Sequence, residues 1–250
     1  MKEKKIISLE ERMPVFRKRK RQKMNRILIV YISFFFLLAL GILYFKSSLS
    51  EVKKIEISGN DSIDAEILQE WSDVQLGMNI WNVNMEDVEK SLKKNTNLFK
   101  KVEVHRKFPT TIAISVEERK KIALLKVEDD FKILLENGEE LTGWQVSIEN
   151  VDGPVLIDWA ESTYLDDLIK QLYEIPESIL KSISEIHPMD PENISNALRI
   201  YMTDGYEVRA SIVDLAEKIH LYPSIISTLK KNQKGYIDLN VGAFFKEYES

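Results

Sequence analysis

Cysteine is absent from all 250 residues. That excludes disulfides, thiolate zinc sites and cysteine-held iron–sulfur clusters. Histidine is scarce: His105, His187 and His220 fall on separate expected elements, with no H-E-x-x-H spacing. An isolated histidine is more often a surface or satisfied residue than a metal ligand. No G-x-S-x-G, P-loop or G-x-G-x-x-G occurs, so neither a nucleophile elbow nor a phosphate cradle is written into the chain. No repeat, low-complexity stretch or long linker is visible. Adjacent carboxylates do occur, at Glu117-Glu118, Asp129-Asp130 and Asp166-Asp167. Neighbours on a strand point to opposite faces, so the first two pairs do not readily converge, and all three read as solvated surface. The sequence therefore offers no catalytic group, cofactor or small-molecule substrate.

Charge is also missing locally. Residues 27–45, ILIVYISFFFLLALGILYF, contain none, with Arg26 before and Lys46 after. As a helix this run is roughly 29 Å long, about the thickness of a hydrocarbon core. It divides the chain into a head (1–26), a span (27–45) and an outer part of about 200 residues. The head carries eleven Lys or Arg against Glu3, Glu10 and Glu11, a net +8; the whole chain is −5, which leaves −13 for residues 27–250. Basic flanks stay cytoplasmic, so the head is expected inside and the acidic part outside. The run Arg17-Lys18-Arg19-Lys20-Arg21 has the composition of a nucleic-acid patch. Beside a span, a charge anchor on the lipid bilayer fits better, and no nucleic acid is expected. A cleaved signal peptide is the alternative, with Ser48-Leu49-Ser50 a weak small-x-small match, but the apolar run exceeds the usual h-region. An exported part without cysteine suits a bacterial surface that does not rely on disulfides. The triplets Asn60-Asp61-Ser62 and Asn193-Ile194-Ser195 match the glycosylation sequon, as many do by chance.

Two outer units are expected. In 51–119, Val52–Ser58 alternates with Ile55 and Ile57 on one face, and Gly59-Asn60-Asp61 is a turn. Ile67, Leu68, Trp71 and Val74 follow a helical period over 64–74. A second helix, 85–95, aligns Met85, Val88 and Leu92, with Asn84 as its cap. Val102, Val104 and Arg106 alternate on one strand, Phe108-Pro109-Thr110 turns the chain, and Ile112, Ile114 and Val116 alternate on the next. The order β-α-α-β-β predicts a small sheet with two helices on one face.

Residues 120–250 read as a β-rich domain with packed helices, so the fold class is α+β behind one N-terminal transmembrane helix. A hairpin is expected from 131–136 to 140–142 around Asn137-Gly138, with further strands at 153–157, 183–187, 197–203 and 206–212. Asp204-Gly205 joins the last two. Helices are expected at 161–174 and 213–221, Pro223 ending or kinking the latter and Ile225, Ile226 and Leu229 continuing its apolar stripe. Tyr236, Ile237, Leu239 and Val241 make a terminal strand. Trp71 faces a helix core, whereas Trp81, Trp144 and Trp159 lie in loops or strand ends, either as packing or as a sugar platform.

With chemistry absent, interaction remains. A strand reached last, Gly235 to Val241, can lie at a sheet edge and accept a partner strand, followed by the apolar Ala243-Phe244-Phe245 and Tyr248. Equally, that strand can be interior, its aromatics filling the core.

Several segments together are familiar. Residues 51–119 resemble a POTRA domain. Phe108-Pro109-Thr110-Thr111-Ile112, continuing to Val116-Glu117-Glu118-Arg119 and Ala123, is similar to the P-T-x-x-I-x-V-x-E-R…A stretch of the FtsQ/DivIB family of bacterial division proteins. Ile55-Glu56-Ile57-Ser58-Gly59-Asn60 resembles that family's first POTRA strand and turn; Trp81 and the Leu92…Phe99…Val102 spacing also fit. Tyr201-Met202-Thr203-Asp204-Gly205-Tyr206-Glu207-Val208, Tyr222-Pro223 and Gly235-Tyr236-Ile237-Asp238-Leu239 resemble its DivIB-like, Gram-positive form. Residues 151–159, VDGPVLIDW, match only loosely. The resemblance implies a non-enzymatic single-pass membrane scaffold of the divisome at the septum, helping regulate septal peptidoglycan synthesis. It implies FtsL-like and DivIC/FtsB-like partners, bound by strand addition at Tyr236, Ile237, Asp238, Leu239, Asn240 and Val241, with Phe244 and Phe245. It implies a recruitment role for the POTRA unit. No extended tail follows residue 248, so no tail-dependent role is expected. The alternatives are a membrane-tethered cell-wall enzyme, which needs convergent carboxylates in a cleft, and a POTRA-containing assembly factor, which needs a lipid-facing barrel that the sequence does not show. A sensor acting through the short polar head is a third.

Overall fold

The computed structural model describes residues 9–144, 151–160, 162–189, 196–229, 235–240 and 242–247, with side chains from residue 23 onward. A long helix comes first, α1 (Leu9–Lys46). It continues back from the apolar run through much of the basic head. Its stretch Lys23–Lys46 is long and apolar enough to cross a membrane, and its side chains are unburied. Backbone contacts divide the chain into two units: Met1–Glu56, Val74–Met85 and His105–Ala113 form one, and Ile57–Asp73, Glu86–Val104 and Ile114–Ser250 the other.

After a single 3-10 turn, Ser48–Ser50, come β1 (Lys54–Ser58), α2 (Ala65–Trp71), α3 (Met85–Asn95), β2 (Phe99–Lys107) and β3 (Thr111–Glu118). The expected β-α-α-β-β order stands, and the strands form a sheet ordered β1-β3-β2. Ile112, Ile114 and Val116 are buried, as are Val102 and Val104, so alternation does put one face into a core. Leu68 of α2 and Val88 and Leu92 of α3 are buried too. Trp71 is half-buried rather than core, its ring meeting Trp144 edge-on at 5.5 Å. Gly59, at φ +79°, turns the chain so close to β3 that a Cβ would lie 2.0 Å from the Val116 carbonyl oxygen.

An eight-stranded sheet follows: β4 (Lys121–Val127), β5 (Asp130–Leu135), β6 (Val155–Leu156), β7 (Ile183–Pro188), β8 (Ala197–Met202), β9 (Glu207–Ser211), β10 (Gly235–Asp238) and β11 (Phe244–Glu247). Their spatial order is β11-β10-β9-β8-β7-β6-β4-β5. The helices α4 (Leu165–Glu174), α5 (Glu177–Leu180), α6 (Leu215–Ile219) and α7 (Tyr222–Thr228) contribute to its main core. There Leu168, Ile169 and Leu172 of α4 and Leu215, Ala216 and Ile219 of α6 join Leu198, Ile200, Val208, Ala210 and Ile237 of the sheet.

Two expectations change, the partner of β5 and the role of Pro223, and two open alternatives are decided, for Trp159 and for β10. Strand β4 carries Ile122, Ala123, Leu124 and Leu125 buried in succession, so it lacks the alternation by which a strand is recognised. It, and not 140–142, is the main hairpin partner of β5, turning at Glu128-Asp129. Residues 139–141 add one bridge, Leu134 to Glu140. Pro223 opens α7 instead of closing a helix; a missing N–H is harmless in a first turn. Trp159 is fully buried, its indole N–H donating to the Ile186 carbonyl at 3.0 Å, which makes it a core residue and not a sugar platform. Finally, β10 is not at the edge of the sheet. It pairs in parallel with β9 and antiparallel with β11, and among the described residues the edge strands are β11 and β5.

Candidate interaction surface

The ribbon β10–β11 is set by a close approach. A Cβ on Gly235 would lie 2.2 Å from the Lys246 carbonyl oxygen and 2.6 Å from the Phe245 ring, so only glycine lets β11 lie alongside. The register pairs Gly235 with Glu247, Tyr236 with Lys246, Ile237 with Phe245 and Asp238 with Phe244. On the other side Tyr236 pairs with Glu207, Ile237 with Val208 and Asp238 with Arg209. The Leu239 N–H donates to the Arg209 carbonyl at 2.8 Å.

Strand periodicity then sorts the candidate residues. Ile237 and Leu239 are fully buried, and Phe245 packs against the same core, its ring edge-on to Tyr206 at 6.4 Å. Tyr236, Asp238, Phe244 and Lys246 belong to the opposite face. There the Tyr236 ring lies under the Arg209 guanidinium at 3.6 Å and 5.9 Å from the Lys246 ammonium. Arg209 in turn pairs with Glu207 at 2.8 Å. Phe244 stays 48% exposed. Asn240 follows β10, its N–H donating to Asp238 at 2.8 Å and its carbonyl accepting from Lys218 at 2.9 Å. Val241 lies outside the described residues, as do Tyr248 and the Asn193-Ile194-Ser195 triplet. The sequence reading missed β11 as a strand, and with it Lys246; it placed Gly235 in the terminal strand but not against β11. The Phe245/Lys246 alternation was the available signal, but four residues are too few to carry it.

The hairpin β8–β9 is pinned by Tyr222, whose buried hydroxyl donates to the Asp204 carboxylate at 2.7 and 2.8 Å. Burial first, and the bond to Asp204 second, push this phenol well above its ordinary value.

A cleft of about 300 Å³ opens beside Lys120, Ile122 and Tyr173. Its carboxylates, Asp152 and Glu177, are both held by Lys181, at 3.0 and 2.7 Å. A shared cation thus ties both carboxylates as ion pairs. Asp167 pairs with Lys170 at 2.9 Å, and Asp166 and Asp167 lie in the first turn of α4, where the helix dipole favours them. His105 lies on β2, His187 on β7 and His220 after α6; no metal-binding group of three side chains occurs among the described residues.

A model of the FtsQ-type POTRA domain matches residues 50–119, and a model of the C-terminal part of the cell division proteins FtsQ/DivIB matches 123–240. The cell division protein DivIB of Geobacillus kaustophilus is 39% identical over 98% of this chain and 93% of its own length. DivIB of Bacillus subtilis is 36% identical over 98% and 92%. A solved structure of the major extracytoplasmic domain of DivIB from Geobacillus stearothermophilus, described as its trans isomer, is 35% identical; it covers 47% of this chain and 99% of that one, with a TM-score of 0.35.

An apolar N-terminal helix, a POTRA domain and a β-rich domain with several helices together make an α+β cell division protein whose first helix fits a single membrane span. The chain belongs to the FtsQ/DivIB family. That family consists of division scaffold proteins and is not a known enzyme family.

Proposed function

We propose that the chain is a single-span scaffold of the divisome at the septum, its N-terminus cytoplasmic and its C-terminal domains extracytoplasmic. It docks small single-span division proteins, FtsL-like and DivIC/FtsB-like, and thereby helps regulate septal peptidoglycan synthesis. Residues 1–26 form the cytoplasmic head, 27–45 the span, 51–119 the POTRA domain and 120–250 the β domain. The supporting observation is the sheet order: among the described residues β11 has one strand neighbour, β10, whereas Tyr236–Asp238 already have two. The docking strand is thus Phe244–Glu247, with Phe244 as its exposed apolar contact. Tyr236, Ile237, Asp238, Leu239 and Asn240 support it from behind. Backbone pairing at an edge supplies affinity, and alternate side chains supply specificity. A shared membrane raises the partners' effective concentration, so modest intrinsic affinity suffices.

The test is co-purification of the tagged full chain with its membrane partners. Phe244→Glu alters an exposed side chain and should reduce recovery of the two small proteins about tenfold, equivalent to about 1.4 kcal/mol, as for a peripheral anchor of an interface. Its melting temperature should stay within a few degrees of the parent. Full recovery with an intact fold refutes β11 as the docking strand.

A further inference from the structure

The unit containing α1 carries an exposed apolar cluster that division-protein docking leaves unexplained. Leu49 is 62% exposed, Leu76 61%, Met78 44%, Trp81 37% and Phe108 64%. These residues come from three separate stretches, yet they are gathered at the C-terminal end of one helix. Phe45, one residue before that helix ends, meets the Trp81 ring at 5.3 Å, and Trp81 meets Phe108 at 5.5 Å.

The gathering is built rather than incidental. The Asn79 side-chain amide donates to the Phe45 carbonyl at 2.6 Å, an orphaned acceptor of the helix end, and to the Ser50 hydroxyl at 2.9 Å. The Ser50 hydroxyl donates to the Phe45 and Ser47 carbonyls at 3.1 and 3.0 Å. Ile80 N–H donates to the Ser50 carbonyl, and Val52 N–H to the Met78 carbonyl, both at 2.8 Å. Arg106 clasps the same loop through the Ile80 and Val83 carbonyls, at 2.9 and 2.7 Å, with its guanidinium 5.7 Å from the Trp81 ring centre. The loop 76–81 is therefore bonded to the end of α1 and shares its level.

We infer that this collar lies in the outer interfacial layer of the same bilayer that α1 crosses, with Leu49, Leu76, Met78, Trp81 and Phe108 inserted among lipid headgroups and upper acyl chains. The inference rests on reading Lys23–Lys46 as a membrane span. Tryptophan and other aromatic side chains concentrate at that depth because an apolar body and a polar edge are both satisfied there. An exposed apolar cluster needs a partner, and with Lys23–Lys46 as a span the medium around the end of α1 is lipid. The exposed Lys46 and Lys53 supply cations at headgroup level. Inserted this way, the collar fixes how α1 leaves the membrane rather than letting it pivot on a flexible tether.

The absence of cysteine makes the test direct. Single-cysteine full-length variants Leu76→Cys, Phe108→Cys and Leu37→Cys are spin-labelled and reconstituted into phosphatidylglycerol vesicles. Collision with oxygen is then compared with collision with a water-soluble nickel complex. Labels at 76 and 108 should shift at least halfway, on a logarithmic scale, from the water-exposed ratio toward that at 37. A lipid-like ratio at 37 with water-like ratios at both other positions overturns the collar and leaves the span standing. A water-like ratio at 37 overturns the span, and the collar with it.

Discussion

The three-stranded and eight-stranded sheets are built from similar residues under different rules. In the small sheet the central strand β3 shows plain alternation: Ile112, Ile114 and Val116 are buried, Ser115 and Glu117 exposed. In the large sheet β4 is buried at four consecutive positions, and β10, the last strand but one in the chain, is enclosed between a parallel and an antiparallel neighbour. A sheet with one wet face writes its orientation into every second residue. A sheet built partly from parallel crossovers does not, because which strand lies beside which depends on connections far apart in sequence. Position within a sheet, more than strand composition, should therefore set how a substitution is tolerated.

The largest effect is expected where β10 meets β9. Leu239→Pro removes the N–H bonded to Arg209 and disturbs a fully buried side chain, a loss of about 3 kcal/mol or more. Phe244→Pro on the edge should cost about a third of that or less. Thermal unfolding of the two purified full-length variants compares them directly; equal losses would contradict the order β11-β10-β9.

A smaller contrast separates two glycine turns. Gly59→Ala places a Cβ against the Val116 carbonyl at positive φ and should destabilise by about 2–3 kcal/mol. Gly205→Ala keeps the positive φ, +91°, but has open space around it and should cost about 1 kcal/mol. Denaturant midpoints of both variants sharpen the distinction between steric and conformational cost.

The smallest concerns the β8–β9 hairpin. Tyr222→Phe removes the hydroxyl bond to Asp204, for about 1 kcal/mol near neutral pH. The phenol's raised pKa gives this contribution a pH dependence: folded Tyr222 keeps its proton where the unfolded chain releases it. Stability is thus full below the ordinary tyrosine value of 10.0 and declines above it. Melting temperatures measured from pH 8 to 11 should converge for parent and variant as pH rises; a constant gap would assign the effect to packing.

Much of the small sheet was readable because each element there announces itself locally. Residues 85–95 show a helical period and form α3 with the same bounds, and the β2–β3 turn at Phe108–Thr110 follows its proline. The candidate surface was half readable. Tyr236 to Leu239 was visible as a strand, and the resemblance directed attention to it. Its rank in the sheet was invisible, because Phe244–Glu247 is short and its partner pairing is set by the close approach at Gly235. Likewise Trp81 and Phe108, far apart in sequence, give no local sign that their rings meet at the end of α1.

Hydrophobic length, charge asymmetry and side-chain period act over a few neighbouring residues, so the apolar helix, the acidic part that follows it, the absence of thiol chemistry and most strands and helices followed from residue order alone. Edge against interior, and which exposed aromatics share one patch, follow from contacts between distant stretches. Those are chosen by which arrangement buries the most apolar surface while pairing every buried backbone group, a condition no single segment can meet or reveal.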